Sequence, residues 1–300
     1  MLDSLSGIPG LKVKTAEPMA RYTTMKIGGP ADYFIEAELN TALARALKLL
    51  SAHDVRVCLL GKGSNILVSD RGIRGAVIRL GEEFKRASWR EEGRASVLAG
   101  AAFAMTQLVR EAARRGLAGL EFGEGIPGSV GGALYMNAGA YGSEMEKIVE
   151  RVDGMTSAGE AVVFDRQEMT FSYRDSHLPP GTVVTGVTMR LEKKDPAEVS
   201  AKVRELVARR KQSQPAGFPN SGSMFQNPPG DFAGRLIEAA GFKGKRLGDA
   251  QISDRHANFI VNHGGARAME VKQLMDAARA EVKARFGIEL VPEVRFWGEW

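Results

Sequence analysis

The sequence predicts a mixed α+β protein built from at least two compact units, and three observations lead to this fold class. The chain has 300 residues, 44 % of them hydrophobic and 26 % charged, which is enough for two domain-sized cores. Segments with the two-residue period of strands alternate with segments of helical spacing. A polar break near Lys193 is followed by a long helical pattern that starts at Asp195-Pro196.

The first part of the chain is predicted to consist of strands separated by two helices. The stretch ADYFIEAE alternates between apolar and polar residues, and VRVCLL is a short apolar run, as in buried strands. A glycine ends the second helical pattern. We expect strands at residues 31–38, 55–60, 76–80 and 95–99, and helices at residues 41–52 and 102–115.

A glycine-rich stretch at residues 116–142 comes next and lacks the serine and charge bias of a disordered linker. Strands are predicted at residues 149–164 and 181–191. A helix follows to about residue 211, with Asp195 as N-cap and Pro196 at its first position.

The last third is predicted to hold a helix at 233–240, a strand at 258–262, a second long helix, and a strand at 288–297 interrupted by Pro292. The second long helix keeps one apolar face, which core packing explains: Val271, Leu274, Met275, Ala278, Val282 and Phe286. We therefore divide the chain into residues 1–193, with subdomains of about 1–80 and 81–193, residues 194–287, and a closing strand at 288–300.

Charge and cysteine content exclude several classes of protein. The net charge of +5 is spread along the chain, and the basic cluster at residues 209–211 falls at a predicted helix end, where cations complement the helix dipole. Cys58 is the only cysteine, so no internal disulfide and no multi-thiolate metal site is expected. We expect a cytoplasmic protein without a membrane or nucleic-acid partner; the sequence does not decide its oligomeric state, and a monomer is compatible with it.

Two glycine clusters are candidates for phosphate binding by backbone N–H groups. Residues 61–65 (GKGSN) follow a predicted strand, and residues 123–132 (GEGIPGSVGG) add the hydroxyl of Ser129. A diphosphate would use both clusters, whereas a purely structural turn would explain only one of them. The second cluster contains the spacing G-x-G-x-x-G, but Pro127 and the absence of a βαβ unit argue against a dinucleotide-binding Rossmann fold.

Three polar residues stand in unusual settings, and each has two interpretations. Arg174 lies among apolar and turn residues, where it would clamp a carboxylate or form a structural ion pair. Glu293 is either a functional carboxylate or a solvated edge residue. Ser223 lacks a nucleophile-elbow motif, so a proton donor fits it better than an acyl nucleophile. The four histidines form no zinc pattern, and no metal is expected.

Six segments, taken in order, resemble the UDP-N-acetylenolpyruvoylglucosamine reductase family in its shorter subtype. The matching segments are residues 22–29 (YTTMKIGG), 60–67 (LGKGSNIL), 126–132 (IPGSVGG) with 137–142 (NAGAYG), 172–176 (SYRDS), 221–228 (SGSMFQNP) and 292–296 (PEVRF). Gln226 stands where the family often has lysine, so a charge there is absent.

The resemblance implies an FAD-binding fold of the vanillyl-alcohol oxidase and p-cresol methylhydroxylase type, followed by a small α/β substrate-binding domain. It also implies an NADPH-dependent oxidoreductase that reduces UDP-N-acetylglucosamine enolpyruvate to UDP-N-acetylmuramate for peptidoglycan synthesis. We expect FAD to be bound non-covalently, because neither glycine cluster contains Cys or His.

The same resemblance implies roles for individual residues. Ser223 would be the proton donor, Arg174 the partner of the substrate carboxylate, and Glu293 the acidic group beside it. The residues expected to contact substrate are Tyr141, Tyr173, Lys211 and Asn227. The residues expected to contact FAD are Gly61, Lys62, Gly63, Ser64, Asn65, Ile66, Ile126, Pro127, Gly128, Ser129, Gly131, Gly132, Asn137, Gly139 and Ala140.

Two other functions remain as alternatives on the sequence alone. Another flavoenzyme of the same fold, such as a sugar or alcohol oxidase, would share both glycine clusters. A basic binding protein without enzymatic activity would fit the isoelectric point near 9.3. His256 has no assigned role, since it would either orient the last domain or cap a strand.

Overall fold

The protein is described by a computed structural model that covers residues 2–300. The chain forms two compact units, each assembled from three separate segments. The first unit contains the chain up to Lys14, Tyr33–Lys62 and Gly75–Arg210. The second contains Thr15–Asp32, Gly63–Arg74 and Lys211–Trp300.

Seven α-helices occur in the described chain. They are α1 (Leu2–Ser6), α2 (Asn40–Ala52), α3 (Met105–Arg114), α4 (Val130–Tyr135), α5 (Pro196–Ser213), α6 (Ala233–Ala239) and α7 (Ala268–Phe286).

The strands are short, and most lie in small sheets. They are β1 (Leu11–Pro18), β2 (Pro30–Ala37), β3 (Val57–Leu60), β4 (Ile66–Val68), β5 (Ile73–Leu80), β6 (Ala87–Arg90), β7 (Ser96–Gly100), β8 (Leu117–Ala118), β9 (Gly139–Ala140), β10 (Ser143–Glu144), β11 (Val149–Met155), β12 (Ala161–Asp165), β13 (Val183–Arg190), β14 (Glu192–Lys193), β15 (Arg246–Leu247), β16 (Ala250–Ile252), β17 (Ile260–Asn262) and β18 (Arg295–Trp297).

Two sheets organise the first unit. One has the strand order β1-β2-β5-β3, with β3 and β5 parallel, and the other is antiparallel with the order β12-β11-β13-β7-β6. Helices α2 and α3 each bury a stripe at helical spacing, for example Leu43, Leu47 and Leu50 of α2. These stripes and the inner faces of the strands form one apolar core.

The core of the second unit forms around helices α6 and α7. The antiparallel sheet β15-β16-β17 belongs to this unit, and β18 pairs in parallel with β4. Three core residues come from the first quarter of the chain: Met25, Ile27 and Leu67. Apolar residues far apart in sequence therefore share one core.

The division into units differs from the predicted domain boundaries. Residues 15–32 and 63–74 fall in the second unit, and the boundary expected at residue 193 lies after Arg210. The physical reason is burial: Val199 and Val203 of α5 pack in the core of the first unit. Such long-range partners leave no local sequence signal.

The structure also corrects four predicted elements. The strand expected at 149–164 is a hairpin, because Thr156 N–H bonds to the Glu160 carbonyl and turns the chain. The glycine-rich stretch contains helix α4. Phe286 is 38 % exposed and does not join the apolar face of α7. The last strand begins only at Arg295.

No helix within residues 2–300 is long and apolar enough to cross a bilayer.

Candidate active site

The segment that carries Ser223 is hydrogen-bonded to the segment that carries Glu293 in the second unit. Glu293 N–H donates to the Met224 carbonyl at 2.8 Å. Phe225 forms an isolated antiparallel bridge with Pro292. Two of the three predicted catalytic residues are thereby brought onto adjoining backbone segments.

Ser223 is itself half-buried and takes part in a bridge with Phe259. Within residues 2–300 its hydroxyl makes no hydrogen bond to protein. The preceding Gly222 has φ of +76°, a conformation that glycine adopts without strain. This arrangement leaves the Ser223 hydroxyl able to serve a ligand.

The end of the first glycine cluster also contacts the Glu293 segment. Asn65 Nδ2 donates to the Glu293 carbonyl at 3.2 Å, and Arg295 N–H donates to the Asn65 carbonyl at 3.0 Å. The parallel pairing of β4 with β18 continues from this contact. Asn65, predicted to contact FAD, therefore helps to fix the segment that carries Glu293 and leads into β18.

Gly61 of the first glycine cluster lies beside Ser129 of the second, and both belong to the first unit. A Cβ added to Gly61 would lie 2.7 Å from Ser129 Oγ, so only glycine permits this approach. Ser129 is 3 % exposed, and its hydroxyl caps α4 by accepting the Gly132 N–H at 3.3 Å.

Backbone donors differ between the two clusters. Within the described chain, the N–H groups of residues 61–65 and of Ser129 have no protein acceptor. By contrast, the N–H groups of four neighbours of Ser129 already bond to carbonyls: Ile126, Gly128, Val130 and Gly131. The first cluster therefore offers the run of free donors that an anion requires, and the second contributes mainly Ser129 and close approach.

Arg174 lies at the tip of a tight turn in the first unit. Ser172 and Asp175 exchange two backbone hydrogen bonds across the turn, at 2.9 and 3.1 Å. Arg174 has φ of +63° and lies over the Tyr173 ring at 4.6 Å. A residue with a side chain is disfavoured in this conformation, so glycine would fit at this position more easily than arginine does.

Asn137 is hydrogen-bonded to the turn that carries Arg174. Its side chain is fully buried, donates to the Ser172 carbonyl at 3.1 Å and accepts the Glu146 N–H at 3.0 Å. The sequence predicted a cofactor contact for Asn137. That contact stays a prediction, and the side-chain amide of Asn137 holds the turn that carries Arg174.

The four predicted substrate residues are divided between the units. Tyr141 and Tyr173 belong to the first unit and are about half exposed, and the Tyr141 hydroxyl donates to the Leu206 carbonyl at 3.3 Å. Tyr141 also lines a cleft of 560 Å³ beside α5. Lys211 and Asn227 belong to the second unit, and Asn227 Oδ1 accepts the Ala233 N–H at 3.1 Å at the start of α6.

This chain is similar to known proteins over nearly its whole length. A curated UDP-N-acetylenolpyruvoylglucosamine reductase 2 from Symbiobacterium thermophilum is 45 % identical over 298 residues, covering 99 % of this chain and 96 % of the relative. The reductase from Heliobacterium modesticaldum is 48 % identical over 285 residues, covering 94 % and 90 %. The chain belongs to the UDP-N-acetylenolpyruvoylglucosamine reductase family.

Two family models match successive parts of this reductase-family chain, and a solved structure matches nearly all of it. The FAD binding domain matches residues 31–165, and the UDP-N-acetylenolpyruvoylglucosamine reductase C-terminal domain matches residues 214–297. The crystal structure of the reductase from Thermus caldophilus superposes with a TM-score of 0.83 at 40 % identity, covering 96 % of this chain and 99 % of that one. The predicted fold class and the family resemblance are confirmed.

One cluster of charged residues, formed by Arg210, Glu124 and Arg110, was not predicted from the sequence. Arg210 was attributed to a helix end, but its side chain is half-buried against Gly125, where an added Cβ would lie 2.4 Å from Arg210 Cδ. Burial lowers the pKa of the Arg210 guanidinium, and interactions with Tyr141 and Glu124 oppose that shift. Glu124 is 2 % exposed and binds Arg110 at 2.8 Å. A glutamate inside a glycine-rich apolar stretch was the available signal.

Proposed function

We propose that this chain is an FAD-dependent reductase that converts UDP-N-acetylglucosamine enolpyruvate to UDP-N-acetylmuramate, with NADPH as the electron donor. The observation that carries the proposal is the pairing of the Ser223 and Glu293 segments inside the unit matched by the reductase C-terminal family model. We assign this activity to the bacterial cytoplasm and to peptidoglycan precursor synthesis, where NADPH and nucleotide sugars are supplied.

The overall reaction consumes the enolpyruvyl ether, NADPH and a proton, and yields the lactyl ether and NADP⁺. Bound FAD would supply the redox chemistry, which is the transfer of hydride from NADPH to the methylene carbon of the substrate. The other alkene carbon then requires a proton, and its negative charge is shared with the substrate carboxylate until that proton arrives.

Residues 61–65 fit the pyrophosphate of FAD in this proposal. Consecutive N–H groups without protein acceptors form a cradle of positive partial charge, and the glycines allow phosphate oxygens to approach closely. Ser129 adds one N–H and one hydroxyl beside Gly61. Neither cluster contains Cys or His, which supports non-covalent binding.

Arg174 would pair with the substrate carboxylate and stabilise the charge that develops there. A guanidinium gives two parallel hydrogen bonds to a carboxylate, and preorganised charge stabilisation is commonly among the largest catalytic contributions. Glu293 would act as the acidic group next to the same centre. Tyr141, Tyr173, Lys211 and Asn227 are assigned to the substrate diphosphate and sugar.

Ser223 would donate the proton to the alkene carbon. A serine hydroxyl is a weak acid, so the transfer relies on the strong basicity of the carbanion-like centre. The half-buried hydroxyl, which no described protein group engages, suits this role.

The test separates the two half-reactions in anaerobic stopped-flow experiments. In Ser223→Ala, bleaching of the flavin by NADPH should stay within about twofold of the wild type, while reoxidation by the enolpyruvyl sugar slows by about 100-fold or more. Ser221→Ala is the matched control, because it removes a nearby buried hydroxyl that lacks a hydrogen-bond partner among residues 2–300. Equal slowing of both half-reactions in Ser223→Ala would remove the proton-donor assignment. A wild-type protein that the enolpyruvyl sugar fails to reoxidise would remove the substrate assignment.

A further inference from the structure

We infer that Asn258 is a positioning residue that aims the Ser223 hydroxyl. The inference rests on the proposed function, because it assigns Asn258 a role through the proton donor of that reaction. Asn258 acts on the loop that carries Ser223 through hydrogen bonds to the two residues that follow it, Met224 and Phe225.

The side chain of Asn258 makes hydrogen bonds to both backbone groups of one residue, Phe225. It is 3 % exposed, its Oδ1 accepts the Phe225 N–H at 3.0 Å, and its Nδ2 donates to the Phe225 carbonyl at 2.8 Å. Its own carbonyl accepts the Met224 N–H at 2.8 Å. One residue therefore supplies three hydrogen bonds to the backbone directly after Ser223.

These bonds fix the segment that carries the hydroxyl. The Met224 carbonyl is taken by Glu293 N–H, so the N–H and carbonyl groups of both Met224 and Phe225 are all satisfied. The Ser223 side chain has no protein hydrogen bond of its own within residues 2–300. The placement of its hydroxyl consequently depends on the backbone that Asn258 holds.

Asparagine is the residue that this contact requires. A primary amide offers an acceptor and a donor in one plane, which matches the N–H and C=O of a single residue. Aspartate keeps the acceptor for Phe225 N–H and loses the donor, and alanine loses both. The Asn258 backbone is held in turn, since its N–H donates to His256 Nδ1 at 3.2 Å.

The position of a reacting group matters more for rate than for binding. A displacement of about 1 Å at a catalytic group costs about 100-fold in rate. If Asn258 aims the hydroxyl, its loss should slow the proton-requiring half-reaction and spare the flavin reduction by NADPH, which needs no proton from Ser223.

The experiment compares Asn258→Ala with Asn262→Ala, a matched control in the same unit. Asn262 is 1 % exposed, donates to the Met25 carbonyl at 2.9 Å and accepts two backbone N–H groups, so its loss breaks a similar set of buried bonds. Flavin content, melting temperature and both half-reactions are measured for each full-length variant. We expect both melting temperatures to fall, both flavin reductions to stay within about twofold, and reoxidation by the enolpyruvyl sugar to slow by about 10- to 100-fold in Asn258→Ala alone.

A second test covers poor folding of the alanine variant. Asn258→Asp keeps the shape and one of the two side-chain bonds, and should also slow reoxidation selectively. When combined with Ser223→Ala, either Asn258 substitution should add little further slowing, because the two residues act as one unit. Equal slowing in Asn258→Ala and Asn262→Ala, or additive slowing on top of Ser223→Ala, would overturn the inference. A wild-type enzyme that is not reoxidised at all would instead overturn the proposed function on which the inference depends.

Discussion

Arg174 has a backbone conformation that glycine adopts more readily than any residue with a side chain. The left-handed region costs an L-residue about 1–2 kcal/mol, and glycine avoids this cost but loses about 0.5–1 kcal/mol in chain entropy. In Arg174→Gly the free energy of unfolding should therefore change by less than about 1 kcal/mol. The value of kcat/KM for the enolpyruvyl sugar should fall by about 100-fold, because the carboxylate loses its charged partner.

Asp54→Gly is the control for this substitution. Asp54 is exposed and also has a positive φ, of 51°, but it lies at the end of α2 and outside the candidate site. It should show a similarly small stability change with full activity. A loss of more than about 2 kcal/mol of stability with activity preserved in Arg174→Gly would instead support the structural ion-pair interpretation.

We expect His256 to make the stability of the second unit depend on pH. Burial is the main cause that lowers the pKa of this imidazole from its ordinary value of 6.5, and nearby Lys243 lowers it further while Glu238 opposes. The neutral ring is also the form whose Nδ1 accepts the Asn258 N–H at 3.2 Å. Because the folded-state pKa is lowered, the stabilisation is fully present above pH 6.5 and is lost as the pH falls below it.

The measurement is urea unfolding between pH 5 and pH 8, followed in parallel for wild type, His256→Gln and His53→Gln. We expect the free energy of unfolding of the wild type to fall toward pH 5, and this fall to be smaller in His256→Gln. His53→Gln removes an exposed histidine at the end of α2 and should reproduce the wild-type profile. Parallel curves for wild type and His256→Gln would show that acid unfolding arises at other groups.

At the scale of elements, sequence patterns predicted the helices and strands whose ends are set by neighbouring residues, and failed where a distant partner sets them. Helix α5 begins at Pro196 as expected, and Asp195 Oδ1 caps it by accepting the Ala197 N–H at 2.7 Å. Helix α4 was missed because Gly131 and Gly132 lower helix propensity, and its formation depends on the Ser129 cap and on tertiary packing. The segment before β18 was overextended because Pro292 and its neighbours pair with the Ser223 loop, a partner about 70 residues away that sequence periodicity does not reveal.

The candidate site was predictable where short motifs mark a backbone requirement, as at Gly61. It was not predictable where a side chain acts on a distant backbone. Asn137 and Asn258 are ordinary polar residues in sequence, and only the fold places their amides on the turns that carry Arg174 and Ser223.

The approach of the two glycine clusters makes Gly61 a test of cofactor binding. Its φ lies outside the left-handed region, so alanine adds no backbone strain, but the new methyl would meet Ser129 Oγ at 2.7 Å and displace a hydroxyl already engaged in capping α4. Overpacking of this kind costs about 1–3 kcal/mol. The Kd for FAD in Gly61→Ala should therefore rise by about tenfold or more, as measured by flavin titration and by flavin absorbance per protein.

Gly186→Ala is the comparison for Gly61→Ala. Gly186 lies in β13 with φ outside the left-handed region, and an added Cβ would meet nothing closer than 3.4 Å. It should retain wild-type affinity for FAD. Equal affinities in Gly61→Ala and wild type would mean that the pyrophosphate does not lie where the two clusters meet.

At the scale of the whole molecule, each unit depends on segments that are separated in sequence. The C-terminal family model begins at residue 214, yet the core of the second unit includes Met25, Ile27 and Leu67. Strand β18 has β4 as its parallel partner, with Phe296 opposite Leu67. The 90 residues from Lys211 to Trp300 therefore lack part of their own core when expressed alone.

A fragment of residues 211–300 should accordingly fail to fold cooperatively. Large apolar side chains such as those of Met25, Ile27 and Leu67 contribute about 1.5–3 kcal/mol each when fully buried, and a small domain has only about 5–15 kcal/mol of net stability to lose. Without β4, the backbone of β18 also loses its ladder partner. We expect helical circular dichroism with a broad, non-cooperative melt and poorly dispersed amide resonances, whereas the full-length chain melts in a sharp transition.

Adding a peptide of residues 63–74 in excess should sharpen the melt only slightly, because residues 15–32 are still missing. A sharp, reversible melt of the fragment alone would mean that its core is complete without residues 15–32 and 63–74. The C-terminal domain would then be a continuous stretch of sequence, as the sequence pattern predicted, and would not need these two N-terminal segments.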